Sequence, residues 1–438
     1  MAGSEGRLEG SSPRGRTGLG EPRPDDRLIW ILLAACVTLV GTLLTQSSLN
    51  VVLPVMEREW GVSHGTSGTL FAVYQAGYIL ASAAFLLSMD RLRARGAAGY
   101  PLWLPALVAA AAGTAFPLLA GGVVSAGVLR FLAGVGLGGV YMPGLNLLAR
   151  QIPPERRGRY VGLYVASFIL AQGVSLAATG SLVSRLGWRE SYLVMGLASW
   201  VAPAAGLLVV RLLPAREEVR PDAAAAPRPA RRSGWLPASG VFAASLVYAG
   251  HNWELYGVRS WLTPYLAQAF EGSQGLTAAI TQAAWLNAGT VLLGALSTGV
   301  GGAVSDRLGR IRTAAVLLVA SSVTTALLGW SGHWPLSLLV TLLVLSGLSL
   351  NADSPIYSTM VTEMADPARL GRAQAWQTVL GFGAAGISPW VLGLVADRWG
   401  WGVAFGGGAA GAWAGLVVLA RLALAGAPTA VHPTASRR

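Results

Sequence analysis

Five ionisable side chains sit inside long apolar runs, where an unpaired charge is expensive and therefore calls for a partner or a wet cavity. They are Arg130, His251, Glu254, Arg259 and Asp353. An arginine fork can donate two parallel bonds to a carboxylate, so Arg130 and Arg259 suit an organic anion. His251 and Glu254, three residues apart, can exchange protons, and burial would tune both. Asp353 is either a second proton site or the structural partner of an arginine from a loop. Asn50, Tyr74, Gln75, Tyr248, Asn252 and Asn287 are uncharged polar groups in the same runs. They could line a cavity with the arginines, or simply bond helix to helix.

The elements that carry these groups are apolar stretches of about 20 residues, the length that crosses a bilayer. Twelve can be marked along the 438 residues. The chain is 53% hydrophobic and only 12% charged, so little is left for a soluble catalytic domain, and no enzyme motif is present. This reads as an all-α membrane protein. Residues 1–27 and 423–438 read as cytoplasmic tails and 212–235 as a Pro-, Ala- and Arg-rich linker. The linker separates a bundle over 28–211 from one over 236–422. By residue count Arg130 and Arg259 fall in the outer third, whereas Asp353 falls in the inner third, far from Arg259 in depth. On a regular helix Tyr248, Asn252 and Arg259 share a stripe with His251 at its edge, and Glu254 turns away.

The net charge of +12 would suit nucleic acid, but its distribution excludes that partner. All 32 basic residues are arginine. Four of them (Arg58, Arg185, Arg189 and Arg398) fall in outer loops and two in spans. The remainder lie on one side, which puts both termini in the cytoplasm. The single Cys36 permits no internal disulfide, and no metal or cofactor set is present.

Between two apolar runs stands Gly302-Ala-Val-Ser-Asp306-Arg307-Leu-Gly309-Arg310-Ile-Arg312. Glycine permits close approach or a sharp reversal, Asp306 can accept from the free N–H groups of a neighbouring helix, and the arginines stay in water. A weak copy follows the second run at Asp90-Arg91. Arg130-Phe-Leu-Ala-Gly134-Val-Gly136-Leu-Gly138-Gly139 opens the fourth. Pro154/Pro367, Gly134/Gly347, Gly158/Gly371 and Gly187/Gly400 share one offset of 213 residues, so a six-span unit is duplicated. The loop, the fourth-span pattern and the repeat together resemble the major facilitator superfamily of transporters.

The resemblance implies two pseudo-symmetric six-helix bundles with a substrate site between them. It also implies a gating role for Gly302, Asp306, Arg307, Gly309 and Arg310, with Asp90 and Arg91 as the weaker counterpart. The reading is a secondary transporter in the cell membrane, a monomer whose partners are lipid, a small solute and protons. Arg130, Arg259 and His251 favour an organic anion, with Glu254 as the proton carrier. An exporter of hydrophobic or cationic compounds is the alternative. It is weakened because the fifth span lacks the Gly-Pro motif that the superfamily's drug–proton antiporters carry. A transport-dead sensor on the same scaffold is a third.

Overall fold

The computed structural model describes residues 24–94, 100–213, 238–366 and 369–425, and all regular structure among them is helical. The tails, the linker and the loop at 95–99 lie outside these residues except at their edges. Asp90 and Arg91 belong to the helix His64–Ala94, but their side chains lie outside the described residues.

Nine described helices are apolar and long enough to cross a membrane. Two further rods escape that criterion for evident reasons, and one of the nine is double. Trp103–Leu119 is only 17 residues long. Ser239–Gln274 carries the polar cluster around His251. Leu370–Leu424 contains two helices that meet at Gly400. The arrangement is consistent with twelve spans.

Glycine makes the sharpest reversals possible. Gly309 ends Leu276–Leu308 and starts Arg310–Leu328, with φ at 91°. Gly400 does the same within the last pair at φ 80°. A side chain is strained in that region, so a one-residue hinge between two spans requires glycine. Gly302 differs from its expected role: a Cβ there would meet nothing within 4 Å, so no backbone crowds it.

Span six is interrupted at Ser199–Trp200, and two other spans are broken where the breaks matter for the site. Span one is Pro24–Leu43 followed by Ser48–Trp60. Thr38 and Thr42 bond back to the carbonyls of Ala34 and Thr38, a pattern that bends helices. The interruption at 44–47 frees backbone carbonyls. Ser175 donates to Leu44 O at 2.6 Å and Tyr192 to Thr45 O at 3.0 Å. Span ten is Leu336–Leu350 followed by Ser354–Met364, with Asn351–Asp353 between them.

Span seven corrects an expectation. It does not stop near Trp261 but continues through Pro264 to Gln274. Arg259 therefore lies 15 residues from the end of its helix, nearer its middle than the expected outer third. That brings it level with the break in span ten.

The halves meet along spans two and eleven, five and eight, and one and seven. Within the first half, spans two (His64–Ala94) and four (Val123–Gln151) touch backbone to backbone. A Cβ on Gly134 would lie 2.0 Å from Tyr74 O, and one on Gly138 would lie 2.5 Å from Tyr78 O.

Candidate functional site

A cavity between the halves is lined by Arg130, Arg259, Gln46, Gln172, Tyr74 and Tyr256, among others. Arg130 projects from span four and is 1% exposed. Its guanidinium lies over the Tyr74 ring, 4.3 Å from the centroid, and Nη1 donates to Thr45 O at 3.2 Å. The break in span one thus supplies the carbonyl that this cation needs. Arg130 Nε has no hydrogen-bond partner among the described residues.

Arg259 bridges the halves. Nη1 donates to Gln172 Oε1 in span five at 2.7 Å, and Nη2 donates to Asn351 Oδ1 in span ten at 2.8 Å. Asn50 Nδ2 donates to the Arg259 carbonyl at 2.9 Å. Each arginine is held by neutral oxygens and stacking alone, and no carboxylate is among the residues that line the cavity. Two cations left without a counter-ion in a partly dry space attract an anion strongly.

Of the residues singled out from the sequence, Asn50, Tyr74, Gln75, Arg130 and Arg259 line this cavity. Tyr248, Asn252 and Asn287 do not. Asn252 donates to Tyr248 O at 3.0 Å, and both pack against span eleven at Gly381. Asn287 donates to Thr263 Oγ1 at 2.9 Å. The regular-helix stripe fails because span eleven covers its lower part.

The proton-exchanging groups also sort differently. Glu254 faces span nine, where the Ser321 hydroxyl donates to its Oε2 at 2.9 Å. His251 faces span ten, with Nδ1 3.1 Å from Asp353 Oδ1. Asp353 is therefore partnered by a histidine of span seven rather than by a loop arginine. It is also two residues from Asn351, which binds Arg259, so the expected separation in depth does not hold.

Gln172 and Asn351 were given no site role from sequence, although an amide in an apolar span was a signal. Gln46 has a sharper one. The 213-residue offset of the repeat maps Gln46 onto Arg259, Ser47 onto Ser260 and Gln172 onto Ala385, and all six line the cavity.

The end of the protein away from the termini is fastened across the halves. Arg58 forms a two-pronged pair with Glu271, one prong at 2.7 Å. The Asp397 carboxylate of span eleven accepts from the backbone N–H groups of His64 and Gly65, at 2.9 and 2.7 Å, at the start of span two. The His64 ring packs against Trp261 and Trp401, and its Nδ1 lies 2.9 Å from Glu57. At the opposite end Asp306 turns to Arg310 instead of capping another helix. Arg310 also reaches Ser305 at 2.7 Å and Glu363 at 3.1 Å, all within the second half, while Arg307 is exposed. Helix capping by an aspartate, expected of Asp306, is found at Asp397.

Replacing Asp397 with Asn removes the charge from both capping bonds, each worth about 1.5–3 kcal/mol to a charged acceptor. The expected result is a population with this end open, raised at least tenfold. Spin labels at positions 59 and 272, in a Cys36→Ser background, report it by distance; an unchanged distribution would show that Asp397 fastens nothing.

Two matches to the family model of the Major Facilitator Superfamily cover residues 35–281 and 246–438. The chain is 23% identical over 371 residues to a hexuronate transporter of Bacillus subtilis (strain 168), covering 82% of this chain and 85% of that one. It is 25% identical over 402 residues to a 4-hydroxybenzoate transporter of Pseudomonas putida, covering 83% and 85%. A probable sulfoacetate transporter of Cupriavidus necator is 24% identical over 401 residues, covering 84% and 87%. Among solved structures, a bacterial homolog of the human lysosomal transporter Spinster superposes with a TM-score of 0.69 at 16% identity. It covers 90% of this chain and 95% of that one, in an inward-facing and occupied conformation.

Proposed function

Because the chain belongs to the major facilitator superfamily, we propose that it moves a small organic anion across the cell membrane by alternating access. Movement is coupled to protons, and both termini face the cytoplasm. One observation carries the reading: Arg130 of the first half and Arg259 of the second enter a single cavity whose lining holds no carboxylate. An anion bound to both would draw the halves together, and only such differential binding can favour an occluded state. The three relatives above are named for hexuronate, hydroxybenzoate and sulfoacetate, all of them acids. The same lining weighs against a cationic drug, which would meet two like charges and no counter-ion.

A thermal-shift screen of the purified protein tests this, since a ligand that binds only the folded state raises its apparent stability. Carboxylates and sulfonates should raise the melting temperature, and size-matched quaternary ammonium compounds should not. The reverse ranking would overturn the anion reading.

A further inference from the structure

Span ten is tied to span seven at both ends of its break. Asn351 accepts from Arg259 at one end, and Asp353 meets His251 at the other. The three-residue break has little room to flex alone. A Cβ on Gly294 of span eight would fall 2.2 Å from Asn351 Nδ2, and one on Gly301 would fall 2.0 Å from Ala352 O. A displacement at Asp353 is therefore passed to Asn351 through a seated backbone rather than absorbed.

The pair itself is sealed. His251 and Asp353 are both fully buried, and neither lines the anion cavity. The Tyr357 hydroxyl donates to Asp353 Oδ2 at 2.5 Å. The imidazole packs against Tyr357 and Tyr248, with centroids at 5.4 and 6.2 Å. Among the described residues the titratable groups facing the pair are Glu254 and Tyr248 from span seven and Tyr357 from span ten. Span nine brings the Ser321 hydroxyl to Glu254, and span eleven brings Gly381 against Tyr248.

We propose that His251 and Asp353, with Tyr357 as the fixed donor, form the proton-binding site that sets how tightly Arg259 holds the anion. The proposal rests on the anion reading above. His251 Nδ1 and Asp353 Oδ1 stand at ion-pair distance without hydrogen-bond geometry. One added proton, on the imidazole or on the carboxylate, leaves the pair neutral, and its loss leaves the carboxylate charge of Asp353. That charge, two residues from the side chain that holds Arg259, competes with the anion for the arginine's field. Loading the proton removes the competitor, so proton and anion favour each other's binding, and linkage makes the effect reciprocal. Only a proton moves: it enters from water, resides on the pair and leaves to water on the other side. Glu254 of span seven faces the pair but is held by Ser321 of span nine, and it does not carry the proton in this scheme.

The test uses the full chain in proteoliposomes, with glucuronate, 4-hydroxybenzoate and sulfoacetate as probes. Asp353→Asn and His251→Gln should each cut pH-driven accumulation at least tenfold while counterflow at equal pH persists. Glu254→Gln should keep both. In the wild type the dissociation constant of the probe should rise with pH, and in Asp353→Asn it should be flat. Retained pH-driven accumulation in both pair variants, or its loss in Glu254→Gln alone, would overturn the assignment. If no probe binds the wild type, the anion reading fails, and the proton site is judged without ligand. The infrared carboxyl signal of the empty protein should then change with pH, and that change should vanish in Asp353→Asn. An identical signal in the variant would equally overturn it.

Discussion

Arg130→Ala should abolish anion binding, with a loss well beyond tenfold in dissociation constant. The guanidinium is buried, stacked on Tyr74 and bonded to the carbonyl of Thr45, so the substrate would supply its missing counter-charge. Removing one member of a buried, hydrogen-bonded charge pair costs about 2–5 kcal/mol. Arg130→Lys is the more discriminating variant. It keeps the charge but loses the planar fork and the face that lies on the ring, so most of the loss should remain. Arg259→Lys should weaken binding less than Arg259→Ala, because an ammonium can still donate to Gln172 or Asn351. Calorimetric titration with the best ligand of the thermal screen gives the constants, and gel filtration controls for folding. Binding within twofold of wild type in Arg130→Ala would end the role of that arginine.

Gly134→Val should cost the protein its fold or its site. The first added carbon would lie 2.0 Å from Tyr74 O, far inside contact distance, and the obstacle is backbone that cannot rotate away. Spans two and four would have to separate, and Tyr74 would leave Arg130. Overpacking of a rigid contact typically costs about 1–3 kcal/mol, and a clash with backbone lies at or beyond the upper end. Gly127→Ala on the same helix is the control, since its nearest neighbour is Leu70 at 4.0 Å. The fraction of extracted protein that runs as a single species should fall sharply for Gly134→Val and hold for Gly127→Ala. Equal yield and melting temperature for the two would refute the packing argument.

The fold was largely legible because bilayer physics leaves few choices. Apolar length marks spans, and the repeated Pro and Gly positions mark the duplicated unit. Charged residue types are costly in a membrane, which is why both arginines stood out, and the structure brings both to one cavity. Position along a helix was harder to read. Thr263-Pro264-Tyr265 resembles an exit into a loop, yet the helix runs through Pro264 for ten more residues. That single boundary moved Arg259 in depth and separated it wrongly from Asp353. The breaks in spans one and ten gave no warning either, since neither Gly nor Pro lies within residues 44–47 or 351–353. Gln172 was silent because an amide facing an arginine and an amide bonding two helices look alike in sequence.

Two fixed positive charges in a cavity without carboxylates also decide which step of a transport cycle feels the membrane voltage. If the cavity reorients empty, it carries both charges through part of the field, and each full crossing is worth about 2.3 kcal/mol per 100 mV. A bound monoanion halves that charge and a dianion cancels it. With a dianion bound and the His251–Asp353 pair protonated, the loaded protein would then turn over almost indifferent to potential, whereas the unloaded one, with a net positive charge, would be pulled toward the negative side. With the termini cytoplasmic, as proposed, a cytoplasm-negative membrane would thus hold the waiting carrier in the conformation that the contacts of Arg58 and Asp397 already fasten.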